Sequence, residues 1–565
     1  MRDRGDTQPA SPDFQSVPTL VVAPGAGIVS IKILAVTSEA FPLAKTGGLG
    51  DAVSGMARAL HSAPGASIQI LMPAYRGVLE QLPHAHEIAR FDDLPGGPAR
   101  LFKAPCAALG GVPVLLLQND ALYDRDHLYV DANGREYADN PLRFGALAHA
   151  AVRIAAGRGY TERPDVVHAH DWHAGLVPLL LREAGLHDVK SVLTIHNMAF
   201  QGVYDMEWAE ALGVPKKYLT WDAAEFWGKL SFMKAGLRYA DRITTVSYTY
   251  AREILTERFG CGLQGLLASR QHELLPVPNG IDAREWDPAH DPHLGIYRFS
   301  ASDMANKARN KRDLQRRFGL TLDADAPLLV MGSRLTHQKM ADVALLAVQR
   351  ALDDHPDLQV AVLGQGERVL EQEFQRLPHR YPGRCGVRVG FDEDTAHKLH
   401  AGGDMLLHGS RFEPFGLTPL YAMRYGTIPI GSRVGGMADT ISDMGASVGR
   451  DAMRSATGVL FDGETVDAMA GAITRTLGLY RRPEIWRAMQ HKAMAADFSW
   501  ERAAPLYITL YRSIQPARVA AESVVPVEVT AQGRPSLLDQ VSAAARPLKA
   551  LTGASSVQMA VGAGD

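Results

Sequence analysis

Ile31–Asp51 runs IKILAVTSEAFPLAKTGGLGD, and its three pieces decide the fold. Ile31–Glu39 is a short apolar, β-branched run, the pattern of a buried strand. Lys45–Gly50 (KTGGLG) is a glycine-rich turn. Asp51–His61 then carries apolar residues at helical spacing, with Asp51 at the position of an N-cap. The order is strand, glycine loop, helix.

The unit recurs along the chain. Val112–Leu117, Asp165–His170, Ser191–His196 and Arg242–Ser247 read as strands, Trp172–Ala184 and Leu230–Tyr239 as helices, and Leu274–Pro278 leads to the turn pair Asn279-Gly280. Pro276–Asp325 has prolines, polar residues and a basic helix but no strand run. Alternation resumes with strands at Leu328–Gly332, Gln359–Leu363, Gly386–Val389, Met405–Leu407 and Thr427–Ile430. Such alternation implies a mostly parallel sheet covered on both faces. The expected class is α/β, with two doubly wound domains facing a cleft. Residues 31–285 and 326–495 are the two domains, 286–325 the linker, and 496–515 a closing helix. Residues 1–30 and 516–565 read as disordered or flexible tails, although Ser536–Leu551 could form a short helix. Ligands bind at the carboxyl ends of strands in such sheets, so the cleft is where the site is sought.

Composition narrows the function. Of 565 residues, 46% are hydrophobic and 21% charged, a globular balance. Lys plus Arg is 59 and Asp plus Glu is 62, a net charge of -3. No global field draws in nucleic acid or an acidic membrane. Three scattered cysteines form no disulfide framework and no CxxC pair, which fits a reducing cytoplasm. No apolar run approaches the ~18 residues of a membrane helix.

Four segments carry chemistry. Lys45-Thr46-Gly47-Gly48-Leu49-Gly50-Asp51 lets backbone approach a ligand beside a lysine suited to phosphate, though it matches neither the Walker nor the GxGxxG spacing. Ser333-Arg334-Leu335-Thr336-His337-Gln338-Lys339 sends two cations off one strand end, suited to a diphosphate. Ser410–Tyr421 (SRFEPFGLTPLY) places Glu413 between a strand and a helix that begins near Gly416, and Val434–Asp439 (VGGMAD) is another glycine turn entering a helix. Pro164–His173 (PDVVHAHDWH) and Thr194-Ile195-His196-Asn197 end adjacent strands. His168 and His170 share a strand face while His173 belongs to the next helix, so a polar site fits better than a metal.

Together these segments resemble the bacterial glycogen synthases and plant starch synthases, retaining glucosyltransferases of the GT-B fold, from about Ile31 to Tyr511. The resemblance implies transfer of glucose from ADP-glucose to the non-reducing end of an α-1,4-glucan, with no resident cofactor or metal. It implies His196, Arg334, Lys339 and Glu413 as catalytic residues. It implies a donor site of Lys45, Gly48, Asp51, Asn197, Asn279, Phe391, Phe415, Gly416, Leu417, Thr418, Gly435 and Gly436, with Phe391 stacking on adenine. Phe415 stands where many relatives carry Cys, and Pro419 where they carry Gln. The competing readings are a retaining GT-B enzyme using UDP-glucose or another acceptor, and a non-catalytic glucan-binding protein. Tyr421, where that broader group commonly has a second Glu, favours the first reading. The intact set Lys45, Arg334, Lys339 and Glu413 argues against the last.

Overall fold

The computed structural model describes residues 30–445 and 455–515. The two tails, and the helix expected at Ser536–Leu551, lie outside the described residues.

Apolar runs at the expected places form the central strands of two sheets. The first sheet has nine strands: β1 (Ile31–Val36), β2 (Ala66–Pro73), β3 (His86–Phe91), β4 (Ala99–Cys106), β5 (Val112–Gln118), β6 (Val166–His170), β7 (Lys190–Ile195), β11 (Arg242–Thr245) and β12 (Leu274–Pro276). Their order is β12-β11-β7-β6-β1-β2-β5-β4-β3. Pairing is parallel except at one edge, where β3, β4 and β5 run antiparallel. Between β7 and β11 a three-stranded layer branches off: β8 (Val203–Asp205), β9 (Glu225–Phe226) and β10 (Lys229–Ser231), in the order β8-β10-β9. The second sheet is wholly parallel. It comprises β13 (Leu328–Gly332), β14 (Gln359–Gly364), β15 (Cys385–Val389), β16 (Met405–His408), β17 (Ile428–Ser432) and β18 (Val459–Phe461), in the order β15-β14-β13-β16-β17-β18.

Three local expectations are corrected. The first helix spans Gly48–Ser62, with Gly47 at its N-cap, so Asp51 lies in its first turn and does not cap it. Leu230 belongs to β10; the helix after it starts at Phe232 because the Ser231 hydroxyl accepts the Lys234 N–H and caps it. Trp172–Ala184 is a 3₁₀ turn, Trp172–Ala174, and then a helix, Val177–Glu183. Between them Gly175 packs so closely on the Phe232 carbonyl that a Cβ would overlap it.

The final helix, Trp500–Ser513, returns to the first sheet. Its Trp500, Leu506, Tyr507 and Tyr511 are buried in the same core as Val53 and Met56 of the first helix. Gly55 leaves room for the Trp500 indole, which a Cβ would overlap. The Tyr511 hydroxyl bonds Nδ1 of buried His168, 2.8 Å away. The two chain crossings between the sheets lie side by side, bridged at Ile281 and Ser499.

Candidate active site

The carboxyl ends of β13 and β16 build one wall of the cleft. The turn after β13 brings Lys339 back over the strand ends, and β16 delivers His408, Ser410 and Glu413. Lys339 ion-pairs with Glu413, their side chains 12% and 9% exposed. The same oxygen, Oε2, also accepts from Ser410 Oγ at 2.9 Å and lies 3.1 Å from His408 Nε2. Oε1 receives no donor among the described residues. Burial pushes this carboxyl upward, but Lys339 and His408 outweigh it and hold Glu413 well below the usual carboxylate range. The carboxylate is therefore fixed as an anion, with one oxygen anchored and one free. Gly435 makes the support possible: at φ 43° its Cα packs on the Glu413 carbonyl, and a Cβ would overlap that oxygen. Gly436 packs likewise on Phe415.

Arg334 is exposed and bonds only Gln338, at 3.0 Å, with no carboxylate partner among the described residues. Its charge is open to an anion, whereas that of Lys339 is shared with Glu413. Arg411, by contrast, is consumed by Asp342 and Glu464.

The facing wall comes from the first sheet. His196 and Asn197 follow β7, and Asp171 follows β6. Asp171 Oδ1 accepts the backbone N–H groups of His196, at 2.7 Å, and Asn197, at 3.2 Å. Its own backbone sits at φ 54°, ψ -170°, a region that non-glycine residues rarely occupy. Burial pushes its carboxyl up to about 7 despite those two N–H bonds. In the sequence the histidines of this segment stand out, and Asp171 carries only one signal, its place at a strand end. His196 Nε2 lies 3.0 Å from His170 Nδ1, and burial lowers His196 to about 3, so its ring is neutral at physiological pH.

The glycine loop closes the cleft. A Cβ on Gly48 would sit 3.5 Å from Leu417 Cδ1, so a single added methyl would bring the two walls into van der Waals contact there. Lys45 pairs with Asp51 at 2.9 Å. Burial, only partly offset by Lys45, raises Asp51 to about 6, and Glu393 of the second wall adds to that rise. Phe391, two residues from Glu393, is 68% exposed on the same rim. Asn279 is buried, and its Oδ1 has no partner among the described residues. Phe415 is buried beneath Gly416, whose φ of 90° starts the helix Leu417–Arg424 that carries Leu417 and Thr418. Ser247 Oγ donates to the Pro414 carbonyl at 2.6 Å, and Gly435 N–H donates to Glu253 at 3.0 Å, so the walls are also joined beside the site.

The histidines in and just after β6 do not converge on one point. His168 serves the closing helix, His170 faces His196, and His173 stacks on Trp172, with ring centroids 4.0 Å apart. Among the described residues, ligand atoms gather instead in Asp291–His293–His397 and Glu285–Glu393–His397. His397 is already held there: Nδ1 is 2.8 Å from Asp291, and the ring stacks flat on Trp286.

Comparison with known proteins identifies the family. Residues 32–269 match the starch synthase catalytic domain, and 313–491 match glycosyl transferases group 1. The chain is 59% identical over 508 residues to a glycogen synthase of Bordetella petrii, covering 89% of this chain and 97% of that protein. It is 51% identical over 489 residues to a glycogen synthase of Ralstonia nicotianae, covering 86% and 89%. The catalytic domain of starch synthase IV from Arabidopsis thaliana, solved bound to ADP and acarbose, superposes with a TM-score of 0.77 at 26% identity, covering 86% of this chain and 100% of that one. Two Rossmann-like domains around a cleft, the GT-B fold, and this level of identity over nearly the whole length of its relatives lead to one assignment: the chain belongs to the glycogen and starch synthase family of glycosyltransferases.

Proposed function

We propose that the cleft transfers glucose from ADP-glucose to the 4-hydroxyl at the non-reducing end of an α-1,4-glucan, with retention at the anomeric carbon. The carrying observation is the Lys339–Glu413 pair, an anchored carboxylate with Oε1 left open beside a cation. Oε1 of Glu413 accepts glucose hydroxyls. Arg334 and Lys339 neutralise the diphosphate as it departs, so most of the barrier is lowered by fixed charge and alignment. Backbone N–H groups at Gly416–Thr418 and the turn at Gly435-Gly436 complete the donor cradle. Lys45, with Asp51 behind it, reaches the donor from the opposite wall. Phe391 offers its exposed face to adenine, and the unpaired Asn279 Oδ1 accepts from the sugar.

Neutral His196, fixed by Asp171 through the backbone, bonds the reacting sugar without adding charge. Asn197 lies beside it. The transition state is oxocarbenium-like. The acceptor hydroxyl attacks from the face the diphosphate leaves, and the departing phosphate oxygen takes its proton. Closure of the two walls over the donor excludes water that would hydrolyse it. Tyr421, stacked on Trp286 with centroids 3.8 Å apart, stands where the broader retaining GT-B group commonly has a second Glu, and that residue identity supports this reading over that group.

The donor and acceptor are the only substrates this reading requires, with no resident cofactor and no nucleic acid. No helix among the described residues is long and apolar enough to cross a membrane. A cytoplasmic location fits the three free cysteines. Incubation with glycogen and labelled ADP-glucose or UDP-glucose, scored as glucan elongation, tests the proposal. Elongation from ADP-glucose is expected; elongation only from UDP-glucose, or none, overturns it.

A further inference from the structure

The three-stranded layer β8-β10-β9 has an unusual tip. Phe226 pairs with Lys229, so Trp227 and Gly228 form a two-residue hairpin turn. Both have left-handed backbone, with φ 52° and 79°. Asn or Asp normally precedes Gly in such a turn, and a tryptophan there is strained. Its ring gains little burial in return: Trp227 is 83% exposed. Trp221, before β9, is 80% exposed, and Phe200, before β8, is 51% exposed.

The backbone beneath these rings is held firmly. The Lys234 ammonium donates to the carbonyls of both Trp221 and Glu225, tying the two tryptophan-bearing segments together. Arg238 donates to Asp222 at 2.9 Å. Phe226 meets Trp227 edge-on at 6.3 Å and packs over Gly262, where a Cβ would lie 2.9 Å from its ring. The layer also continues directly from the cleft: Phe200 N–H donates to the Asn197 carbonyl, and Phe232 N–H donates to Gly202.

We infer that Trp221 and Trp227 form a glucan-holding platform outside the cleft, which takes the α-1,4-glucan chain several sugars away from the reacting end. This rests on the functional reading above. The C–H edges of a pyranose are weakly positive and apolar, and they match the negative face of an indole ring. Around the rings, Lys229 and Asp205, paired at 3.1 Å and both exposed, offer a donor and acceptors to hydroxyls. A polymeric substrate explains why large rings are kept exposed at a position that disfavours them, on ground continuous with the catalytic wall.

The turn itself supplies a clean test. Trp227→Asn restores the residue type the turn prefers, so the ring is removed without loss of fold. The double variant Trp221→Ala/Trp227→Asn and the parent chain are compared by retardation in native gels containing glycogen, with no donor present. They are also compared by elongation of glycogen against elongation of maltotriose. The expected result is about tenfold weaker glycogen retention and a correspondingly higher KM for glycogen, with kcat and the maltotriose reaction unchanged. Equal retention in parent and variant overturns the platform, as does a fall in maltotriose turnover. A parent chain that elongates neither acceptor overturns the functional reading instead, while the gel still reports on the platform.

Discussion

Replacing Lys339 with alanine should damage stability and chemistry together, and the two losses can be separated. The ion pair with Glu413 has side chains only 12% and 9% exposed. Removing one partner of a buried pair costs about 3–5 kcal/mol, because the other charge is left unmatched. His408 and Ser410 still hold Oε2, so the lower end, about 3 kcal/mol, is expected. For domains of this size that is a fall of about 6–12 °C in Tm. The loss depends on pH. Glu413 sits below its ordinary 4.5, so its contribution is present above about pH 4.5 and disappears as pH falls through the depressed value. The gap between variant and parent should therefore narrow in acid. Adding Glu413→Gln removes the orphaned charge and should restore about 1–3 kcal/mol. Turnover behaves differently: Lys339→Ala should lose about 10²–10³ in kcat, and the double variant should recover none of it. Thermal melts from pH 2.5 to 8 and glucan elongation rates make the comparison. A double variant no more stable than Lys339→Ala would refute the pairing argument, and a kcat within tenfold of the parent would remove Lys339 from the chemistry.

Arg334→Ala should also lower kcat about 10²–10³ but leave Tm unchanged, because this exposed side chain has no acidic partner to strand; calorimetry beside the activity assay checks both. His397 is depressed by burial, but Asp291 and Glu393 outweigh that and raise it to about 9. Its contribution to stability is thus complete below about pH 6.5 and lost as pH rises through 9. His397→Gln should accordingly lower Tm at pH 6.5 much more than at pH 9.5, and an equal drop at both would refute the ion-pair account. Elongation should survive exhaustive EDTA treatment, since Arg334 and Lys339 supply the positive charge at the diphosphate. Loss restored by Mg²⁺ or Zn²⁺ would direct attention to Asp291–His293–His397 or Glu285–Glu393–His397.

Strands with continuous apolar runs were legible from sequence to within a residue or two; β13 has the bounds its LLVMG run suggests. Ala66–Pro73 does not stand out in the sequence, although ASIQILMP pairs with β1 along six residues. Its polar residues and terminal proline mask an apolar run that only burial makes obvious. The β8-β10-β9 layer was invisible because strands of two or three residues carry no alternation. Charged site residues stood out because they end strands and border glycine turns. Their supports did not. Nothing local says that His408 and Ser410 reach the same oxygen as Lys339, which lies 74 residues from Glu413 in the chain, or that Asp171 orients the residues after β7. Those are facts of sheet order, which brings β6 beside β7 and β13 beside β16.

The return of Trp500–Ser513 to the first sheet also bears on synthesis. A ribosome releases the strands of the first sheet early, yet the surface around Gly55 and the polar pocket of His168 are completed only by Trp500 and Tyr511. The first half of the chain must wait, with an apolar strip uncovered, while some 200 further residues of the second sheet are made. The strip is sealed only once Trp500–Ser513 has been made and folds back onto it. A chain that ended at residue 495 would keep both sheets and every site residue named above, yet it would leave the ribosome with that strip bare.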